Sequence, residues 1–84
     1  MKLLAIDDNQ DNLTALKAVV SDKLPGVRVF TALNGLSGID LALAECPDVI
    51  LLDIVMPAMD GFEVCRRLKA DAQLSERAII TVAL

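Results

Sequence analysis

Three aspartates stand directly after short hydrophobic runs and are well placed to do chemistry. Asp7 and Asp8 follow the run at 3–6, and Asp53 follows the run at 49–52. An apolar run of about four to eight residues favours a buried strand of a parallel sheet. Ligands bind such sheets outside the carboxyl ends of the strands. We therefore expect the three carboxylates to share one cleft.

A shared cleft would make these carboxylates a site for a hard cation. Each pair about 5 Å apart repels by roughly 3 kcal/mol at an effective dielectric constant of about 20. A divalent cation removes that penalty, and oxygen ligands suit Mg²⁺, Ca²⁺ or Mn²⁺. An aspartate can also attack phosphorus as a nucleophile, and Asp53 is the better candidate because it stands alone. Aspartates after strands also cap helices, so the residues alone leave phosphoryl chemistry and capping both open.

The elements that would position the aspartates alternate between strand and helix. Strands are predicted at 2–6, 27–31, 49–52 and 78–84. Three helices are predicted between them from apolar residues at helical spacing: Leu13, Leu16, Val20 and Leu24; Leu36, Ile39, Leu43 and Cys46; Phe62, Cys65 and Leu68. Asp60 and Glu63 have the spacing of a capping box at the start of the third helix. The alternation predicts an α/β domain with a parallel sheet and right-handed crossovers.

Composition narrows the class of protein further. The 84 residues allow one small domain, and no apolar run is long enough for a membrane span or a signal-peptide core. The net charge of −4 argues against a nucleic-acid-binding face, and Arg66, Arg67 and Lys69 have the spacing of a solvated helix face. Because the chain has no histidine, Cys46 and Cys65 cannot form a zinc site, and we expect idle thiols in a cytoplasmic protein.

Two stretches carry a family resemblance, LLAIDDN at 3–9 and VILLDIVMPAMDG at 49–61. Asp8 and Asp53 are 45 positions apart, and DGFE opens the third predicted helix. Together these features resemble the receiver domain of two-component response regulators, over the whole chain. Pro57 and Gly61 match the loop pattern of that family. The resemblance implies a doubly wound, flavodoxin-like parallel sheet with the strand order 2-1-3-4-5.

The resemblance also implies a role for each site residue. Asp53 would be the phosphoacceptor, and Asp7, Asp8 and Asp53 would hold Mg²⁺, with Mn²⁺ as the alternative ion. The backbone carbonyl of Val55 would supply a further ligand. The phosphoryl group would come from a sensor histidine kinase, a phosphotransfer protein or a small donor such as acetyl phosphate. The receiver itself would catalyse this transfer.

The chain departs from the family pattern near residue 84. It reaches only the fourth strand, so we expect a partial receiver domain over 1–84 that lacks the last helix-strand-helix portion and the lysine of the fifth strand. Ala83 stands where the family carries Thr or Ser, and Thr81 would lie about 6.6 Å further back at about 3.3 Å per residue. We therefore expect phosphorylation with an impaired switch.

The missing portion has consequences for packing and partners. One sheet face and the edge of the fourth strand would be uncovered, which predicts self-association, as in a homodimer. The family pattern also implies an effector domain beyond Leu84. We expect neither nucleic acid nor membrane as a partner of this segment.

The residues bear on three other functions. The main alternative is a receiver-like module that binds a partner without phosphorylation, which Ala83 and the missing lysine favour and the intact aspartates oppose. A phosphatase of the Asp-x-Asp type is excluded because Val55 stands at the second aspartate position. A dinucleotide-binding domain is excluded because no Gly-x-Gly-x-x-Gly follows the first strand.

Overall fold

The computed structural model describes residues 1–54, 56 and 61–82, except for the side chain of Val82. The strands are β1 (Lys2–Ile6), β2 (Arg28–Ala32), β3 (Val49–Asp53) and β4 (Ala78–Val82). The helices are α1 (Gln10–Lys23), α2 (Gly35–Glu45) and α3 (Gly61–Ala70). Their order confirms the predicted alternation of strand and helix.

The four strands form one parallel sheet in the order β2-β1-β3-β4. In the register, Ile6 at the end of β1 pairs with both Ala32 and Leu52. Two neighbouring strands therefore end at the same level, and the next residue on each, Asp7 and Asp53, lies at one edge of the sheet. This arrangement confirms the predicted doubly wound, flavodoxin-like fold.

The core lies on the sheet face that packs against α2 and α3. Leu4, Ile6, Ile50 and Leu52 alternate along β1 and β3 and are almost completely buried. Burying a side chain of this size contributes about 1.5–3 kcal/mol relative to leaving it exposed. These buried side chains therefore fix β1 and β3 directly before Asp7 and Asp53.

Helix α1 covers the other face of the sheet. Its N-cap is Asn9, whose side-chain oxygen accepts the N–H groups of Asp11 at 2.9 Å and Asn12 at 3.3 Å. Leu13 and Val20 are buried, as expected from the helical spacing. The cap lies three residues after the end of β1 and fixes the start of α1 at Gln10.

Helix α2 is present as predicted, but its buried face is not the leucine face. Leu36 and Leu43 are exposed, whereas Gly35, Gly38 and Ala42 are buried. A Cβ on Gly38 would overlap Cδ1 of Ile6 and lie 2.7 Å from its Cγ1. The helix therefore approaches β1 most closely through its small residues, while Ile39, as predicted, and Leu41 are partly buried against the core.

The segment between α3 and β4 also differs from its polar pattern. Leu74 is completely buried and joins the core under α3. Asp71 holds this turn, because its side chain accepts the N–H groups of Gln73 at 2.8 Å and Leu74 at 3.3 Å. Thr81 on β4 pairs with Leu52, one position before Asp53. Ala83 lies outside the described residues, so its place relative to the site stays a prediction.

The outer face of α3 is charged and solvated, as predicted for Arg66, Arg67 and Lys69. Arg66 binds both oxygens of the Glu63 carboxylate, at 2.9 and 2.6 Å, and Arg67 donates to one of them at 3.0 Å. These pairs are three and four residues apart, the spacing that brings side chains together on a helix. They support α3 from its solvent side.

The Glu63 pairing should be visible in a pH titration. Hydrogen bonds from Arg66 and then Arg67 lower the pKa of Glu63 from 4.5 to about 2. Because the folded pKa lies below the unfolded one, the pairing stabilises the fold above about pH 4.5, and this stabilisation is lost as the pH falls towards 2. We expect Arg66→Gln to raise the pKa of Glu63 towards 4.5.

The measurement is the side-chain carboxyl carbon shift of Glu63 against pH by NMR. Lys17→Gln on α1 is the control, since it removes a cation on a different helix. A Glu63 pKa that is the same in native protein and Arg66→Gln would show that the pairing does not form in solution.

Candidate metal and phosphoacceptor site

The three strand-end aspartates lie together at the carboxyl edge of the sheet. One carboxylate oxygen from each of Asp7, Asp8 and Asp53 lies within 4.8 Å of the others. Asp7 and Asp53 are only 2% and 3% exposed, whereas Asp8 faces solvent. Two of the three carboxylates are therefore buried, and the third is in contact with solvent.

Asp7 is held by hydrogen bonds to three different residues. Its backbone N–H donates to the carbonyl of Ala32 at 3.1 Å. Its Oδ1 accepts the backbone N–H of Asn9 at 2.9 Å, and its Oδ2 accepts the side-chain amide of Asn12 at 3.0 Å. Both carboxylate oxygens therefore have a donor from the first turns after β1, and the carboxylate has a defined orientation.

Asn12 is a site residue that the sequence pattern does not single out. Its amide reaches back from the first turn of α1 to the carboxylate of Asp7. An asparagine near a helix start usually suggests a cap or a solvated surface, and here Asn9 is the cap. The only signal in the sequence was the position of Asn12 between the cap and the first buried leucine of α1.

Asp53 is the last residue of β3 and is positioned by the close start of α3. The N–H of Gly61 donates to the carbonyl of Ile54 at 3.1 Å. A Cβ on Gly61 would overlap Cα of Ile54 and lie 2.6 Å from the carbonyl oxygen of Asp53. Glycine is therefore needed at this position because only hydrogen leaves room for the backbone beside Asp53.

Some predicted site features lie outside the described residues. They are the Val55 carbonyl, Pro57, the Asp60 cap and Ala83. Among the described residues, the donor set fits a hard divalent cation. Three carboxylates supply only oxygen ligands, and two of them are buried charges that a cation would compensate.

The site borders a cavity of about 290 Å³ on the α1 side of the sheet. Asp7, Asn12 and Asp53 line its polar end. Its walls are mostly aliphatic and come from α1 and from the centre of the sheet: Ala5, Leu13, Leu16 and Leu51. The buried carboxylates of Asp7 and Asp53 therefore border a mostly aliphatic cavity.

Two further findings concern thiols and membranes. Cys46 and Cys65 are free and partly buried. Among the described residues, no helix has the length and apolar character needed to cross a membrane.

Comparison with known proteins agrees with this fold. The family model of the response regulator receiver domain matches residues 3–83, and the chain belongs to that family. Protein PilH of Pseudomonas aeruginosa is 40% identical over 81 residues, which cover 96% of this chain and 65% of PilH. Sporulation initiation phosphotransferase F of Bacillus subtilis is 38% identical over 81% of this chain and 53% of its own length.

Solved structures of receiver domains have the same fold as this chain. Chemotaxis protein CheY4 of Vibrio cholerae superimposes with a TM-score of 0.88 at 30% identity, over 95% of this chain and 65% of the CheY4 chain. The N-terminal domain of a response regulator receiver protein from Methanoculleus marisnigri JR1 also gives 0.88, at 29% identity, over 95% and 63%. This chain thus spans less than two thirds of the length of these proteins.

Members of this family share signalling partners of the same kind and a preference for Mg²⁺. Receiver domains belong to two-component signalling, in which they interact with histidine kinases or phosphotransfer proteins. They typically bind Mg²⁺ through acidic residues, and this chain has such a cluster. The predicted family is therefore confirmed.

Proposed function

We propose that this chain accepts a phosphoryl group on Asp53, with Asp7, Asp8 and Asp53 holding Mg²⁺ or, alternatively, Mn²⁺. The observation that supports the proposal is the meeting of three carboxylates within 4.8 Å at the ends of adjacent parallel strands. Receiver domains typically bind Mg²⁺ through acidic residues, and the cluster at this edge supplies such residues. The Val55 carbonyl is an additional proposed ligand from the family resemblance.

The chemistry is a transfer between two nucleophiles. An oxygen of Asp53 attacks the phosphorus of a phosphohistidine, the new O–P bond forms, and the P–N bond breaks. The electron pair of that bond stays on the departing imidazole nitrogen. A bound divalent cation would neutralise the negative charge that the carboxylates and phosphoryl oxygens bring together.

The other residues of the site support this transfer from the protein side. Asp7 keeps a fixed orientation because Asn9 and Asn12 bind its two oxygens. Asp8 is exposed and can take up a cation from solvent. Asp53 is almost completely buried, so little of its unmodified side chain is in contact with solvent.

The partners and setting follow from the same proposal. The donor is a sensor histidine kinase or a phosphotransfer protein, the compartment is the cytoplasm, and residues 1–84 act as a partial receiver domain. An effector domain joined beyond Leu84 is a further proposal from the resemblance. Self-association as a homodimer is supported by Ile80, which is 48% exposed on β4, and sedimentation at high concentration would test it.

Intact-mass analysis tests the proposed function. Incubation with acetyl phosphate and Mg²⁺ should add the mass of one phosphoryl group, and chelation with EDTA should prevent the addition. Treatment with hydroxylamine should remove it, because acyl phosphates react with this nucleophile. Asp40→Asn, which removes an exposed carboxylate on α2, is the matched control and should be modified like the native chain.

An unmodified native chain would contradict the proposal. That result would favour the alternative function, a receiver-like module that binds its partner without phosphorylation.

A further inference from the structure

We infer that Asn12 acts on the site through Asp7: its amide partly compensates the charge of this carboxylate when no cation is bound, and this weakens the binding of Mg²⁺. This inference rests on the proposed function, because it concerns the same site. Its basis is one contact: the side-chain amide of Asn12 donates to Oδ2 of Asp7 at 3.0 Å. Helix capping does not explain this contact, because the N-cap of α1 is Asn9 and not Asn12.

Asp7 needs compensation for its charge when no cation is bound. Its side chain is almost completely buried, and carboxylate oxygens of Asp8 and Asp53 lie within 4.8 Å of it. A buried carboxylate is costly unless hydrogen-bond donors face it, and neighbouring negative charges add to that cost. The amide of Asn12 points the positive end of a dipole at the oxygen Oδ2. It therefore supplies part of what a cation would supply.

The contact affects charge more than orientation. If the Asn12 amide is removed, Oδ1 of Asp7 still accepts the N–H of Asn9 at 2.9 Å. The backbone of Asp7 is still held by the carbonyl of Ala32 at 3.1 Å. The carboxylate thus keeps its hydrogen bond at Oδ1 and the backbone of Asp7 keeps its own, so the main loss is the donor to Oδ2.

The sign of the effect follows from linkage. An amide stabilises a full carboxylate charge more than a charge shared with a divalent cation, so Asn12 stabilises the cation-free state more than the bound state. Whatever stabilises the cation-free state lowers the affinity for the cation. Asn12 therefore stabilises the fold when no cation is bound. By lowering the affinity for the cation, it also favours release of the ion.

Asn12→Leu tests the inference, with Gln10→Leu as the matched control. Gln10 lies on the same turn, and its amide donates to Thr14 at 3.3 Å rather than to a carboxylate. Calorimetric titration with Mg²⁺ should show about tenfold tighter binding to Asn12→Leu, a change of about 1.4 kcal/mol. Gln10→Leu should bind Mg²⁺ like the native chain.

Thermal unfolding supplies a second readout. Without Mg²⁺, Asn12→Leu should unfold at a lower temperature than the native chain, and saturating Mg²⁺ should restore most of the difference. NaCl at equal ionic strength should not restore it, because screening does not replace a bound ion. If Asn12 only anchored α1 to β1, the difference would be the same with and without Mg²⁺.

Asn12→Asp is a second variant that keeps the size of the side chain. It places a fourth carboxylate against Asp7, so stabilisation by Mg²⁺ should exceed that of Asn12→Leu, which should exceed that of the native chain. Equal or weaker Mg²⁺ binding by both variants, with native binding intact, overturns the inference and leaves the proposed function standing. A native chain that binds no Mg²⁺ overturns the inference together with the proposed metal site.

Discussion

Asp53→Asn is expected to abolish phosphoryl incorporation, with a loss of at least about 1,000-fold in rate. The carboxamide oxygen is neutral and is a poor nucleophile toward phosphorus. The side chain at this position therefore has no atom that can form the bond to phosphorus at a useful rate. The change keeps the size of the side chain at a site where Asp53 is only 3% exposed. The fold should therefore remain while the chemistry stops.

The measurement is the mass increase after acetyl phosphate and Mg²⁺, followed over time. Circular dichroism of Asp53→Asn should match that of the native chain, which separates lost chemistry from lost structure. Asp40→Asn serves again as the control that removes a remote carboxylate. A phosphoryl adduct that forms on Asp53→Asn at the native rate would place the acceptor at another residue.

Gly61→Ala is expected to lower the free energy of unfolding by about 2–4 kcal/mol. The added Cβ would overlap Cα of Ile54 and crowd the carbonyl oxygen of Asp53, and both of these are backbone atoms. Backbone cannot rotate away as the end of a side chain can. Relief requires the start of α3 to move away from β3, which would also break the bond from Gly61 to the carbonyl of Ile54.

Urea denaturation measures this loss, and Gly38→Ala is the comparison. The Cβ at Gly38 meets the side chain of Ile6, which can partly adjust, so its loss should be smaller, about 1–3 kcal/mol. Gly61→Ala should also slow phosphorylation of Asp53 in the molecules that stay folded. A denaturation midpoint equal to the native one would show that α3 does not need its close approach.

The sequence predicts the site and the sheet well because both depend on local patterns. Apolar runs bounded by polar residues identify β1 and β3, since buried parallel strands leave little choice of residue type. Parallel strands then bring Asp7 and Asp53 to one edge without further information. The family resemblance adds their proposed roles.

Contacts between elements were harder to predict. Leu74 is buried within a polar segment because the turn held by Asp71 directs it under α3. The orientation of α2 depends on Gly38, a residue without a side chain to mark a periodic face. The contact of the Asn12 amide with Asp7 depends on where α1 lies relative to the end of β1. Each of these contacts depends on how closely two elements pack, and the pattern of residues along the sequence does not contain that distance.

The contact of Gly38 with Ile6 also bears on how receiver domains can be recombined. The side chains at the two positions compete for the same space, so a larger residue on α2 is accommodated best by a smaller one at the end of β1. A chimera that takes its second helix from another receiver and keeps this first strand should lose stability unless the donor also has glycine at the matching position. Because Ile6 directly precedes Asp7, a mismatch would shift the first carboxylate of the site. The second helix and the first strand should therefore be exchanged together.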